Sequence, residues 1–148
     1  EMDKKNMKVK LAEGQRIDLG GVGKGYAIDC AFKKLSHVSN DFLIDAGGDI
    51  RTFGRNENDA LWKVGLKDKK GEEISNVGFV ELDNQSLACS GSWARKVKSG
   101  KPQNIYRTIY VVAPTSIESD GWATAVFVGG EKVKEKMPKK FKFYAIKN

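Results

Sequence analysis

The sequence predicts a single α+β domain over residues 1–148, with a mainly antiparallel sheet and two principal helices. Three observations carry that expectation. A chain of 148 residues that is 40% apolar and 30% charged is long enough, and apolar enough, to build one core. Only two stretches, 22–35 and 117–128, show a helical pattern at length. The other apolar segments are short, β-like and bounded by turn signals, with no repeat, linker or low-complexity tract.

Taken in order, residues 7–11 and 16–19 read as short strands around the turn Ala12-Glu13-Gly14. A glycine-rich turn follows. Val22, Tyr26, Ala27, Cys30, Ala31 and Leu35 then fall near helical spacing, and Lys33 and Lys34 occupy the last turn, where positive charge is favoured. Residues 41–46 read as a mostly buried strand, Gly47-Gly48-Asp49 breaks it, and 50–53 resumes. A polar loop covers 54–60, a strand 61–67 and a turn 68–71. Strands are expected at 77–82 and 86–90, divided by Asp83-Asn84, and another turn at 99–102. Residues 106–113 are rich in β-branched and aromatic residues, and Pro114 ends that strand. Ser116 is placed to cap the second helix, with Glu118 and Asp120 in its first turn and Gly129-Gly130 as its stop. A short helix at 131–137 closes at Pro138, and 142–146 completes the set as an edge strand guarded by lysines.

The formal charge is +7 and the pI about 9.4, a balance that favours anionic partners and does not bear on fold. Lysines gather at 132, 134, 136, 139, 140 and 142. Such a group reads first as a solvated basic face; a nucleic-acid surface would need aromatic platforms, and Phe141, Phe143 and Tyr144 are the only ones nearby. No nucleic acid is expected as partner. Cys30 and Cys89 lack metal-type spacing and sit in apolar surroundings, so both are expected as buried free thiols. No run approaches the length of a membrane span, and no export signal is present. The chain begins with Glu1 rather than Met, consistent with a processed or trimmed product.

The chemistry is sought first between Ile17 and Cys30, where glycines stand at 20, 21, 23 and 25 around Lys24. Glycine permits positive φ and close approach to the backbone, and a helix start offers N–H groups to an anion. The stretch therefore reads as a phosphate-contacting turn or as a tight ligand-free turn into a helix. It is not a P-loop, because Gly25 follows Lys24 and Asp18 occupies the upstream glycine position. It is not the dinucleotide fingerprint either, because Tyr26 stands where the third glycine belongs. A second constellation is Asp120 with Thr124, four apart on one helix face. Their oxygens suit a hard cation such as Mg²⁺, with a carbonyl of the glycine turn completing the site; the alternative is an ordinary helix whose Thr bonds to its own turn. His37, the one histidine, follows a helix end and is not assigned a catalytic role. Asp18, Asp29, Asp45 and Asp49 flank the two glycine turns and can bond turn N–H groups or ligand hydroxyls.

Taken together these motifs resemble the ApbE family of FAD:protein FMN transferases. Asp18-Leu19-Gly20-Gly21-Val22-Gly23-Lys24-Gly25-Tyr26-Ala27-Ile28-Asp29 is similar to the family's D-L-G-G-[IV]-A-K-G-Y-A-x-D, with Gly23 where Ala is usual. Ala46-Gly47-Gly48-Asp49-Ile50 matches A-G-G-D-I, and Ala88-Cys89-Ser90-Gly91-Ser92-Trp93 resembles A-T-S-G-x-Y. Val111-Val112-Ala113-Pro114 followed by Asp120-Gly121-Trp122-Ala123-Thr124-Ala125 resembles V-V-A-P then D-A-L-A-T-A.

The resemblance implies an ApbE-like fold and an Mg²⁺-dependent enzyme that moves FMN from its substrate FAD to a threonine of an acceptor protein, releasing AMP. It implies a metal held by Asp120, Thr124 and the main-chain oxygen of Gly23, with Asp120 and Lys24 as catalytic residues. Lys24, Gly25, Tyr26, Asp29, Gly48 and Asp49 are the implied nucleotide-binding residues. Relatives of this kind often work in the bacterial cell envelope or periplasm. Two departures stand out. The family's His-x-x-Asp-Pro segment, the source of a general base, has no counterpart between Trp93 and Tyr110, and the family's N-terminal part is lacking. The alternatives are therefore a non-catalytic FAD- or nucleotide-binding module and an FAD diphosphatase.

Overall fold

The computed structural model describes residues 1–67, 78–91 and 105–147. Its centre is a five-stranded antiparallel sheet in the order β3-β4-β7-β8-β9, formed by Phe42–Ala46, Asp49–Phe53, Ser86–Gly91, Tyr106–Ala113 and Lys142–Lys147. Helices α1 (Gly23–Leu35), α2 (Ser116–Gly129) and the short α3 (Glu131–Lys134) complete an α+β architecture, as the sequence predicts. A separate hairpin of β5 (Trp62–Gly65) and β6 (Phe79–Leu82) covers the sheet face opposite the helices.

Strand alternation on β8 sets these layers. Ile109, Val111 and Ala113 turn to one face, where they pack with Ala123, Val126 and Phe127 of α2. Tyr110 and Val112 turn to the other and pack with Leu66, Val80 and Leu82 at the hairpin. β7 repeats the pattern, with Ala88 toward α2 and Leu87 and Cys89 toward the hairpin. β8 is therefore buried on both faces, which accounts for its nearly continuous apolar sequence. Tyr106 anchors its start: the hydroxyl donates to Glu131 of α3, and burial, reinforced by that bond, raises its pKa.

Four local expectations are corrected. Residues 16–19 form no strand, because the Asp18 carboxylate accepts from Gly20 N (2.7 Å) and caps a 3₁₀ turn at Leu19–Gly21. The strand expected at 7–11 is only β2 (Lys8–Val9), and it pairs with β1 (Met2–Asp3) rather than across the Ala12-Glu13-Gly14 turn. Thr115, not Ser116, caps α2, its hydroxyl oxygen accepting from Glu118 N; Ser116 is buried near Ser86. Helix α1 has the expected span and a different buried face. Gly25, Ile28 and Phe32 turn inward, while Tyr26, Ala27, Cys30 and Leu35 are exposed. Cys30 is thus an exposed free thiol, and Cys89 a free thiol that is partly buried. The turns expected at 68–71 and 99–102 lie outside the described residues.

Candidate functional site

Three carboxylates tie the glycine-rich turn to the rest of the fold. A helix leaves its first N–H groups without intrahelical partners, and Val22, the cap residue of α1, supplies no side-chain bond. Asp120 of α2 fills that role from across the interface, its Oδ2 accepting from Gly25 N at 3.0 Å. The reverse tie comes from Asp29 of α1, whose Oδ1 and Oδ2 accept from Ser116 N and Ile117 N, each at 2.9 Å. Each helix therefore caps the start of the other. Asp49, 2% exposed on β4, is the third: its Oδ2 lies 2.6 Å from Lys24 Nζ, and its Oδ1 accepts from Cys89 N at 3.3 Å.

This arrangement brings the two sequence constellations together. Thr124 packs on the glycine turn so closely that a Cβ on Gly21 would lie 3.0 Å from Thr124 Cγ2 and 3.5 Å from its Oγ1. A Cβ on Gly25 would fall on the backbone carbonyl of Ser116. Gly23 lies between these two contacts, two residues from the glycine Thr124 covers and two from the amide Asp120 holds. An acidic side chain and a hydroxyl-bearing side chain of α2 thus contact the turn on either side of Gly23, and Lys24, the next residue, pairs its ammonium with Asp49. That donor set is all oxygen, the kind a small hard cation prefers. Among the described residues there is no cluster of three His, Cys, Asp or Glu side chains suited to a metal, so any cation here would need hydroxyl and main-chain oxygens besides the Asp120 carboxylate.

On the hairpin side of the sheet, a cavity of about 270 Å³ opens beside Lys24. Ile50, Leu87 and Val64 line it with apolar surface, Cys89 and Tyr110 add polarizable groups, and Gly47, Gly48 and Gly65 keep its walls low. Tyr110 fixes the hairpin to the sheet: its hydroxyl donates to Lys67 O (2.6 Å) and accepts from Lys67 N (3.3 Å). Burial pushes the Cys89 thiol up to about 11, partly offset by a hydrogen bond with Tyr110, so the thiol stays protonated at neutral pH. The volume suits one ring system rather than a whole dinucleotide.

The other expected residues sort clearly. Gly48 lines the cavity, and Asp49 reaches it through Lys24. Tyr26 is 62% exposed and does not line the cavity; a hydrogen bond with Cys30 raises its pKa. His37 is exposed beyond the C-terminal end of α1. Arg51 is a residue that sequence reading overlooked. It is 8% exposed, its guanidinium sits 4.3 Å above the Phe32 ring, and burial lowers its pKa against the pull of Asp29 and Glu118. Leu87, Cys89 and Tyr110 were also missed as cavity residues. Their shared face follows from the period of two, but the hairpin that roofs them is not visible in that pattern.

A turn with oxygen donors and a lysine thus stands at the start of a helix, next to a ring-sized cavity. The ApbE family profile matches residues 1–145, and the chain belongs to that family. It is 30% identical over 131 residues to the FAD:protein FMN transferase of Haemophilus influenzae, covering 78% of this chain and 38% of that protein. The FAD:protein FMN transferase of Escherichia coli strain K12 is 27% identical over 135 residues, 80% of this chain and 38% of that one. Among solved structures, an ApbE protein from Thermotoga maritima superimposes with a TM-score of 0.78 at 30% identity, over 98% of this chain and 53% of that one. The flavin transferase ApbE of Vibrio cholerae, at 19% identity, shares the fold with a TM-score of 0.72 over 88% of this chain and 47% of that one. The chain thus spans well under half the length of these curated relatives.

Proposed function

We propose that residues 1–148 form a flavin-transferase domain that moves FMN from FAD to a threonine hydroxyl of an acceptor protein. In that reaction the hydroxyl oxygen bonds to the FMN-side phosphorus, the bond to the AMP oxygen breaks, AMP leaves, and the hydroxyl proton passes to solvent. The observation that supports this reading is the meeting of Asp120 and Thr124 with the backbone around Gly23, next to Lys24. Asp120, Thr124 and the main-chain oxygen of Gly23 would hold Mg²⁺. When bound, that ion would neutralise charge developing on the diphosphate oxygens.

The chain's own groups account for the rest. Lys24, set by Asp49, places a positive charge at the cavity rim, where a diphosphate crossing from the turn would lie. The apolar lining of Ile50, Val64 and Leu87 would take an aromatic ring of FAD out of water. Asp120 and Asp29 hold the two helix starts in register, so little reorganisation is needed when the anion arrives.

The test is incubation with FAD, MgCl₂ and a threonine-bearing acceptor protein, read as flavin fluorescence on the acceptor after denaturing electrophoresis. Labelled acceptor, lost on adding EDTA, is the expected result. No label despite Mg²⁺-dependent FAD binding would overturn transfer. A second reading, FAD binding without transfer, draws on one observation: the sole imidazole, His37, lies past the far end of α1, roughly 20 Å along the helix from its glycine turn. AMP release without acceptor would instead mark diphosphate hydrolysis.

A further inference from the structure

The mutual capping of α1 and α2 makes Asp29 more than a local cap, and we infer that Asp29 is a positioning residue for the site containing Asp120 and Thr124. This inference deepens the proposed function and rests on it for its metal readout. Asp29 lies in the second turn of α1, on the helix that begins in the glycine turn. Its carboxylate accepts both of the first two α2 amides, Ser116 N and Ile117 N, at 2.9 Å. Asp120 lies one turn further along α2 and holds Gly25 N, back at the start of α1. The connections close a loop: Asp29 to the start of α2, along α2 to Asp120, from Asp120 to Gly25, and along α1 back to Asp29. Both legs are helical, so displacing either tie moves the other.

The glycines make this loop tight. Gly25 has its Cβ position on the Ser116 carbonyl, the residue whose amide Asp29 holds. Gly121, the neighbour of Asp120, would place a Cβ 3.3 Å from Val22. Arg51 supplies charge balance from beneath, buried over Phe32 and attracted by both Asp29 and Glu118 of the first α2 turn. Asp29 thereby sets where α2 begins relative to the turn, and with it the distance from Asp120 and Thr124 to the backbone at Gly23. Side chains that orient metal ligands in this manner typically matter about 10–100-fold in affinity.

Asp29→Asn tests this. The isosteric amide keeps one acceptor and turns an NH₂ toward the second amide donor. Thr115→Ala is the control, because it removes the ordinary side-chain cap of the same helix and leaves the inter-helix tie in place. Two quantities are measured on the full chain: the MgCl₂ concentration for half-maximal FAD binding, and the exchange rate of the Gly25 amide without metal. In Asp29→Asn the Mg²⁺ requirement for FAD binding is expected to rise about tenfold. Gly25 exchange is expected to quicken about tenfold, while Thr115→Ala changes neither and loses comparable thermal stability. If Asp29→Asn merely loses stability as the control does, Asp29 is only a cap and the inference fails. If the wild-type chain shows no response to Mg²⁺, the proposed function fails, and the Gly25 amide still decides whether Asp29 sets the position of Asp120.

Discussion

The two glycine turns of this chain look alike in sequence and work by different physics. In the first, none of Gly20, Gly21, Gly23 and Gly25 has positive φ. Glycine serves there as absence of bulk: Gly25 admits the Ser116 carbonyl and Gly21 admits Thr124. In the second, Gly47 and Gly48 have φ of 66° and 91°, and a Cβ on either would meet nothing within 4 Å. Glycine serves there as conformation, making a two-residue hairpin loop between Ala46 and Asp49 with both central φ values positive. Asp45 Oδ1 accepts from Gly48 N at 2.8 Å and stabilises that loop. The first turn brings two helices into contact, and the second aims one strand so that Asp49 reaches Lys24.

The largest effect that follows is at Gly25. Alanine there must push α1 away from α2, because the obstructing atom is backbone and cannot rotate aside. A cost of roughly 3 kcal/mol is expected, or about 10 °C in melting temperature for a domain of this size. The Asp120 bond to Gly25 N would be lost with it. Calorimetry on Gly25→Ala reads the first effect and amide exchange the second. A variant that melts with the wild type would show that the close helix contact is not required.

Gly48 comes next. Alanine at a φ of 91° is strained wherever it is placed, by about 1–2 kcal/mol. Since the surroundings are open, Gly48→Asn should recover part of that loss, whereas no side chain rescues Gly25. Equal damage from Ala and Asn at Gly48, measured by urea unfolding, would mean that space rather than φ constrains the second turn as well.

These contrasts explain what was legible before folding. Strand 106–113 was found at its full extent, because β-branched and aromatic residues there serve two buried faces at once. Asp120 and Thr124 stood out because a four-residue spacing stacks them whatever else the helix touches. Their partners were hidden, since the Asp120–Gly25 bond joins positions 95 residues apart and no local pattern records it. The face of α1 was misread for the same reason. Its orientation follows the contact at Gly25, a residue with no hydrophobicity to contribute, and so Tyr26 and Cys30 turn out to solvent. Residues 16–19 were apolar enough for a strand, yet one side-chain bond from Asp18 to Gly20 N took the backbone elsewhere. The cavity needed the β5–β6 hairpin and the Tyr110 latch, both long-range.

The smallest effect is the most discriminating. Gly23 begins α1, has no positive φ, and would place a Cβ in open space. It is also the position where the family resemblance expects Ala. Nothing in the fold calls for glycine there, so Gly23→Ala should stabilise the chain by about 0.4–1 kcal/mol by restricting the unfolded state. If Gly23 serves the site only through its main-chain oxygen, the added methyl should leave the Mg²⁺ requirement for FAD binding unchanged. Titration of FAD binding against MgCl₂ in this variant, alongside its urea midpoint, separates the two effects. A better-folded variant that binds FAD less well at every Mg²⁺ concentration would show that Gly23 is needed for room near the ligand, placing it with Gly21 and Gly25 rather than apart from them.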